Sequence, residues 1–314
     1  MKREVEFRSE GTLVRATLVL PDAARGPVPA VVMGGGWCYV KEIVMPHYAK
    51  AIVAAGAAVL MFDYRHSGAS EGEPRQLIDP ARQIEDFKNA VTFVSGLPEI
   101  DADRIGVWGI SYAGGHVLAV GATDPRVKCV ISNIPVVDGY ENMRRVHGST
   151  RFNDLQKLIM EDRVARARDG NAGGRMPMSS LKPSDELSTW PFALIHEIFH
   201  DIKEREAPLH EHWSTISSTE MLMSYNVFPF AERIYNTPVM MVVAEGDEIT
   251  LWDLEIKAFN SIPSSQKELV VIPHVSHMSL YSQQTDLQIA GAAAARFVRK
   301  HLVEKSKATA ARAA

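Results

Sequence analysis

The sequence predicts an α/β fold, in which helices cover both faces of a mostly parallel sheet. Short runs that are apolar on both faces recur along the chain, and such runs are typical of strands buried on both sides. Segments with helical spacing lie between them, which is the pattern of right-handed βαβ units. With 314 residues, the chain is long enough for one large domain of this class.

The first predicted element is an antiparallel hairpin, in which residues 5–8 and 12–20 flank a turn at Glu10-Gly11. Apolar runs then predict six strands, and the segments between them predict five helices. The predicted strands are residues 30–33, 57–63, 105–109, 127–132, 239–244 and 268–272. The predicted helices are residues 45–55, 81–95, 112–121, 251–260 and 286–302.

One block interrupts this alternation. Residues 139–231 show several short helical patterns but no strand pattern. We therefore expect a core of residues 1–138 and 232–303 and a helical insertion at 139–231. Because the strands resume directly afterwards, we interpret the insertion as a lid over the carboxyl edge of the sheet, where open α/β sheets bind ligands. The alternative is a separate helical domain. Residues 304–314 lack an apolar face and predict a disordered tail.

The composition excludes several classes of partner. A formal net charge of −4 gives no electrostatic reason to expect nucleic acid or an anionic membrane. No apolar run reaches the length of a membrane span, and the first residues lack the apolar segment of a signal peptide. With Cys38 and Cys129 as the two cysteines, we expect no disulfide framework and a cytoplasmic location. A homodimer is compatible with these features.

The candidate nucleophile is Ser111, which stands between a predicted strand and a predicted helix. Small residues on both sides of it, in the string Gly109-Ile110-Ser111-Tyr112-Ala113, allow a tight turn that leaves the hydroxyl pointing out of the fold. At the start of a helix, free N–H groups can hold a developing negative charge. Short strings of this kind also arise by chance, and Ala113 stands where the G-x-S-x-G pattern has glycine.

A serine hydroxyl needs a base to activate it, and the base needs a carboxylate to fix its tautomer. Asp247 follows the predicted strand 239–244, and His277 follows the last predicted strand. Because the carboxyl ends of parallel strands share one edge of a sheet, we expect both side chains to lie near Ser111.

With these residues in the order Ser, Asp, His, the chain resembles the α/β-hydrolase superfamily from about residue 29 to residue 302. Residues 33–42 are similar to the oxyanion loop of the dienelactone-hydrolase and acetyl-esterase-like branch, with Gly35-Gly36 where His-Gly is usual. Residues 63–72 and 101–104 are similar to two further loops of that superfamily. The resemblance implies an α/β-hydrolase fold, the triad Ser111, Asp247 and His277, and oxyanion-hole N–H groups on Trp37 and Tyr112.

Other residues compete for the same roles. Glu245 and Glu248 flank Asp247, and Asp138 follows the preceding predicted strand, so each could supply the acid. His274 could supply the base. The strings around Asp247 and His277 resemble those of the superfamily, which favours these two residues.

The string His196-Glu197-Ile198-Phe199-His200 matches H-E-x-x-H, the motif in which two histidines bind zinc. Glu220 lies at a spacing that a third ligand could have. In a chain with eleven histidines so short a string arises by chance, and its surroundings predict an amphipathic helix of the insertion. We therefore predict structural or substrate-facing histidines, no metal and no organic cofactor, while adventitious metal binding by the pair stays open.

These features predict a serine hydrolase that cleaves the carboxylic ester of a small or apolar acyl compound through an acyl-enzyme. Methionines and aromatic residues of the insertion favour an apolar substrate, although they could equally form the core of the insertion itself. The alternatives are the same triad acting on a lactone, thioester, amide or carbon–carbon bond, or as an acyltransferase. A non-catalytic ligand-binding protein on this fold is the alternative outside the enzymes.

Overall fold

A computed structural model describes residues 1–22 and 26–304, and an eight-stranded sheet forms its centre. The strands are β1 (Lys2–Ser9), β2 (Thr12–Val19), β3 (Val28–Gly34), β4 (Ala58–Phe62), β5 (Ile100–Ile110), β6 (Val127–Asn133), β7 (Arg175–Pro177), β8 (Trp213–Thr215), β9 (Val239–Ala244) and β10 (Lys267–Ile272). The order in the sheet is β1-β2-β4-β3-β5-β6-β9-β10. Strand β2 is antiparallel to β1 and β4, and the remaining pairs are parallel. The predicted fold class and all six predicted core strands are confirmed.

The helices are α1 (Met45–Ala54), α2 (Pro80–Ser95), α3 (Tyr112–Thr123), α4 (Gly139–Asp169), α5 (Ala193–Arg205), α6 (Ile216–Met223), α7 (Phe228–Ala231), α8 (Trp252–Ser261), α9 (Ser279–Ser282) and α10 (Gln284–Val298). Helix α1 packs on α10, and α2 packs on α3. The five predicted helices correspond to α1, α2, α3, α8 and α10. The last one ends earlier than predicted, because the chain passes into a π-helical turn at Arg299–Val303.

Local sequence signals explain where some of these elements begin and end. In the turn between β1 and β2, Glu10 and Gly11 have φ angles of 46° and 88°, and positive φ at both central residues defines the type I′ turn that suits a hairpin. Helix α2 begins at Pro80, and the Asp79 carboxylate accepts hydrogen bonds from the first N–H groups of the helix.

The chain between β6 and β9 contains α4, α5, α6 and α7, but it is not purely helical. Strands β7 and β8 form a small antiparallel sheet there, so the expectation of no strand in this block is wrong. Each has only three residues, too few for an alternating pattern to stand out. Helix α4 is interrupted at Gly148, whose φ of 63° and ψ of 173° divide it into two helices.

The two ends of this block lie side by side. The Gly139 N–H donates to the Tyr225 carbonyl over 2.9 Å, and the Val227 N–H donates to the Val137 carbonyl over 2.9 Å. Asp138 and Asn226 pair between them as an isolated antiparallel bridge. We call this pairing of residues 137–139 with residues 225–227 the base bridge.

Within residues 1–22 and 26–304, no helix combines the length and the hydropathy needed to cross a membrane. The predicted disordered tail, residues 304–314, lies outside the described residues except for Glu304, which follows the π-helical turn.

Candidate active site

Ser111 occupies a strained turn between β5 and α3. Its φ of 57° and ψ of −119° lie in a region that residues with a side chain rarely adopt. A Cβ at Gly109 would lie 2.1 Å from the Ala113 carbonyl oxygen, so only glycine fits two residues before the serine. The Ser111 N–H donates to the Asn133 carbonyl over 2.9 Å, and the Ser111 carbonyl accepts from the Gly114 N–H over 2.9 Å. These bonds hold the serine in its strained conformation.

Asp247 and His277 follow β9 and β10, and the structure brings them together. The His277 Nδ1–H donates to Asp247 Oδ2 over 2.7 Å. Asp247 Oδ1 accepts from the N–H groups of Ile249 and Thr250, each over 2.9 Å. With the proton fixed on Nδ1, His277 keeps Nε2 as a hydrogen-bond acceptor. Ser111, Asp247 and His277 are all buried, and Ser111 and His277 line the same small cavity.

The competing residues lie elsewhere. Glu245 and Glu248 are exposed, and the His274 side chain is 93 % exposed. The backbone N–H of His274 donates to the Glu245 carboxylate. Asp138 caps the start of α4. None of the four contacts His277 or Ser111 among the described residues.

The loop after β3 passes directly beside the serine. A Cβ at Gly36 would lie 3.0 Å from the Ser111 Cβ, and the rings of Trp37 and Tyr112 pack with centroids 5.2 Å apart. In the part of the chain that the structure describes, neither the Trp37 nor the Tyr112 backbone N–H meets an acceptor. Their role as oxyanion donors stays a prediction, and this arrangement leaves both N–H groups unpaired for it.

Residues of the insertion brace this loop. His210 Nδ1–H donates to the Cys38 carbonyl over 3.0 Å, and the Cys38 thiol donates to the Trp213 carbonyl over 3.3 Å. Burial raises the pKa of the Cys38 thiol well above its usual value, so the sulfur is a poor nucleophile. Cys38 lies within residues 33–42, so both hydrogen bonds hold the predicted oxyanion loop.

Thr250 and Glu255 extend the site, and the sequence analysis did not assign a role to either. Thr250 Oγ1 lies 2.8 Å from Asp247 Oδ2 and 2.7 Å from Glu255 Oε1. A hydroxyl has a single proton, so one of these two carboxyl groups must donate. Burial raises the pKa of Glu255, and the nearby charge of Asp247 raises it further. Both effects favour the neutral form of Glu255, in which its carboxyl group donates to Thr250 and the Thr250 hydroxyl donates to Asp247. The spacing of Asp247 and Thr250 in an Asp-x-x-Thr turn could have predicted their hydrogen bond, but no pattern in the sequence predicts that Glu255 joins it.

Tyr281 stacks on His277. Its ring centroid lies 5.4 Å from that of His277, and its hydroxyl lies 3.5 Å from His277 Nε2. Burial raises the pKa of Tyr281, although hydrogen bonds with Tyr39 and Ser111 oppose this shift. The hydroxyl is thus a neutral group beside both Ser111 and His277. The i, i+4 spacing of His277 and Tyr281 was the signal available in the sequence.

The cavity above Ser111 is small and apolar. It is lined by Trp37, Tyr39, Met178, Trp190, Ile195, Phe199, Ile249 and Met278, together with Ser111 and His277. Four of these residues belong to the insertion. Its volume of about 10 Å³ holds roughly one water molecule. A wider cleft of about 590 Å³ lies at the amino ends of β5, β6 and β9, away from Ser111.

The structure also places the H-E-x-x-H string, which lies in α5. The rings of His196 and His200 stack with centroids 3.9 Å apart, and His212 lies against both. Glu220, the third ligand that the spacing allowed, instead forms ion pairs with Arg163 and Arg166. The third residue beside the pair is therefore a histidine.

Comparisons with known proteins identify the family and the fold. The profile of the family described as X-Pro dipeptidyl-peptidase (S15 family) matches residues 10–279. The thiohydrolase aneE of Aspergillus aculeatus is 32 % identical over 273 residues, which cover 84 % of this chain and 83 % of that protein. The acyltransferase drtE of Aspergillus calidoustus is 28 % identical, over 89 % of each chain. The crystal structure of the α/β hydrolase GrgF from Penicillium superposes with a TM-score of 0.79 and 25 % identity, over 96 % of this chain and 99 % of that one.

Proposed function

The chain belongs to the α/β-hydrolase superfamily, within the family described as X-Pro dipeptidyl-peptidase (S15 family), and from this premise we propose that it is a serine hydrolase of acyl esters or thioesters. It is an enzyme of the α/β-hydrolase type, and two of its relatives are named thiohydrolase and acyltransferase. The observation that carries the proposal is the Asp247–His277 hydrogen bond beside a serine on a strained turn.

The proposed reaction has two halves. His277 Nε2 takes the proton of Ser111, and the serine oxygen attacks the substrate carbonyl. The N–H groups of Trp37 and Tyr112 stabilise the negative oxygen of the tetrahedral intermediate. His277 then protonates the leaving alcohol or thiol, and a water molecule releases the acyl group with His277 again as the base. Asp247 keeps the ring in the required tautomer and stabilises its protonated form.

The cavity supports a compact apolar acyl group as the substrate. Its lining is aromatic and aliphatic, and burial of such a group contributes about 25 cal/mol per Å². Because the cavity holds about one water molecule, a substrate can enter only if lining residues move, and we propose that α5, which contributes Ile195 and Phe199, is the element that moves. This supports the proposal that the insertion acts as a lid.

The first test compares p-nitrophenyl esters from acetate to octanoate with N-acetylcysteamine thioesters of the same acyl chains. We expect Ser111→Ala to lose roughly 10⁴- to 10⁶-fold in kcat while staying folded. Ser95→Ala, a serine at the end of α2, is the matched control and should keep wild-type activity. Equal hydrolysis by wild type and Ser111→Ala would contradict the proposal. The ratio of kcat/KM for ester and thioester then identifies the preferred bond.

A second candidate is acyl transfer to an acceptor other than water. The observation that favours it is the closed, apolar cavity, which limits the access of water to an acyl-enzyme. Mass spectrometry would detect acyl-Ser111 that persists in buffer and disappears when an alcohol or amine acceptor is added. A fluorophosphonate probe separates both candidates from a non-catalytic ligand-binding protein, because only an activated Ser111 is labelled.

A further inference from the structure

We infer that His196, His200 and His212 form a binding site for a zinc-class divalent metal ion on the insertion. One ring nitrogen from each of the three histidines lies within 4.8 Å of the others. His196 and His200 face the same way from α5, one helical turn apart, and His212 lies opposite them just before β8. The three histidines thus come from two separate parts of the chain, as they do in many folded metal sites.

The hydrogen bonds of the two α5 histidines fix their tautomers. The His200 Nδ1–H donates to the His196 carbonyl over 2.8 Å, and the His196 Nδ1–H donates to the Ser179 carbonyl over 3.3 Å. A carbonyl oxygen only accepts, so both rings carry their proton on Nδ1. Each ring therefore presents the lone pair of Nε2. Metal-binding histidines almost always donate their other ring N–H in this way.

The tautomer of His212 follows from its neighbour. His210 is buried and uses its Nδ1–H to donate to the Cys38 carbonyl, and His210 Nε2 lies 3.2 Å from His212 Nδ1. One proton must lie between these two nitrogens. If His210 held it, that buried ring would be a cation without a carboxylate partner, which is costly. The proton therefore lies on His212 Nδ1, and His212 Nε2 becomes the third lone pair.

The chemistry of this set selects the ion. Three imidazole nitrogens suit Zn²⁺ and similar transition ions, and a fourth position stays open to solvent. The Ser179 hydroxyl donates to His212 Nε2 over 2.7 Å, and this hydrogen bond is exchanged for the bond to the ion when the ion binds. His200 is exposed, which gives the ion an entry path. Glu197 is not part of the cluster, so the site lacks the general base of an H-E-x-x-H protease. The structure thus assigns metal binding to histidines for which the sequence analysis predicted none.

A bound ion would connect two elements that cover the active site. It would join α5, whose Ile195 and Phe199 line the cavity, to the segment before β8. That segment reaches the loop beside Ser111 through the His210–Cys38 hydrogen bond. The ion would therefore restrain α5 in the closed position, whatever bond the enzyme cleaves.

The test is a titration of the metal-free full-length protein with Zn²⁺ by calorimetry and with Co²⁺ by absorption spectroscopy. We expect one equivalent to bind and the thermal midpoint of unfolding to rise. In His200→Ala and His200→Gln the dissociation constant should increase at least tenfold, and the rise in midpoint should disappear. His274→Ala is the control, because its side chain is 93 % exposed and is not part of the cluster. Circular dichroism verifies that each variant is folded.

Two results would overturn the inference. One is the absence of saturable binding by the wild-type protein. The other is an equal dissociation constant in wild type and both His200 variants, which would indicate adventitious binding elsewhere on the surface.

Discussion

At the scale of single residues, the proton on Glu255 determines how much negative charge lies beside His277. Two ionised carboxylates on either side of the Thr250 hydroxyl would repel each other in a buried site. With Glu255 neutral, Asp247 is the single carboxylate charge beside His277, the proposed base. Glu255 acts through Thr250 and Asp247, so we describe it as a positioning residue.

Glu255→Gln should therefore be well tolerated. The amide has the size of the carboxylic acid and can still donate to Thr250, so we expect kcat/KM to stay within about threefold of wild type. Glu255→Ala removes the donor, and we expect a loss of about tenfold or more, because the hydrogen bond to a charged network is broken. The measurement is kcat/KM on the best p-nitrophenyl ester. Asp247→Asn is the reference, with an expected loss of about 10⁴-fold. If Glu255→Gln were as inactive as Asp247→Asn, Glu255 would have to be ionised.

The sequence pointed to Ser111, Asp247 and His277 as site residues, but it did not point to Thr250 or Glu255. Ser111, Asp247 and His277 could be found because each follows a strand, and parallel strands end at one edge of the sheet. The pairing of Glu255 with Thr250 depends on side-chain conformation after folding. A glutamate early in an amphipathic helix is usually exposed, so its burial in α8 could not be read from the pattern.

At the scale of elements, the turn between β5 and α3 has no space for a side chain at position 109, two residues before the serine. We expect Gly109→Ala to destabilise the protein by several kcal/mol, because its Cβ would overlap the Ala113 carbonyl oxygen. Gly291→Ala in α10 is the matched control. Its Cβ would meet only Ala51 at an ordinary 3.6 Å, so stability should be unchanged or slightly higher. Urea unfolding of both variants measures the difference, and equal midpoints would show that the turn relaxes.

Helix α5 should determine the length of the acyl chain that the enzyme accepts. Phe199 lines the cavity and packs on Tyr39 and Tyr281, so Phe199→Ala should enlarge the cavity and shift the optimum to longer esters. Leu194→Ala is the control on the same helix, because Leu194 is exposed and does not line the cavity. The measurement is the ratio of kcat/KM for octanoate and acetate. An unchanged ratio in Phe199→Ala would place the acyl group elsewhere.

The strands and helices of the core were easier to predict than those of the insertion. Core strands such as β9 are buried at every position, which gives an unbroken apolar run. Strands β7 and β8 are short and pair only with each other, and α4 has alternating burial along its two halves. Such elements depend on contacts with the core more than on a local sequence pattern. The sequence therefore predicted that helices occur in the insertion, but not where each one begins and ends.

At the scale of the whole molecule, His116 connects three parts of the fold. It is buried in α3, and its two ring nitrogens form hydrogen bonds with Gln83 of α2 and with Tyr225 at the end of the insertion. Burial lowers the pKa of His116 to about 3. The ring is therefore neutral in the folded protein, whereas an unfolded chain protonates it below about pH 6.5.

Acid should consequently destabilise the fold through His116. Because the folded pKa is lowered, this contribution to the free energy of unfolding is fully present above pH 6.5 and is lost as the pH falls from 6.5 towards 3. The loss is at most about 1.4 kcal/mol per pH unit in that window. Urea unfolding at pH 7 and pH 5 measures this loss of unfolding free energy. In His116→Gln, the number of protons taken up on unfolding should fall by about one, and the slope of the unfolding free energy against pH should fall with it. His274→Gln, at an exposed position, should keep the wild-type slope. A wild-type slope in His116→Gln would show that the folded ring is protonated.

The base bridge makes the insertion an exchangeable module. Because residues 137–139 and 225–227 are held side by side by backbone hydrogen bonds, the separation of the two attachment points does not depend on the chain between them. Natural recombination or laboratory grafting could therefore replace residues 140–224 with the corresponding segment of a relative without changing the register of β6 and β9. Chimeras built at these two junctions would transfer substrate choice from one enzyme to another while leaving Ser111, Asp247 and His277 in place.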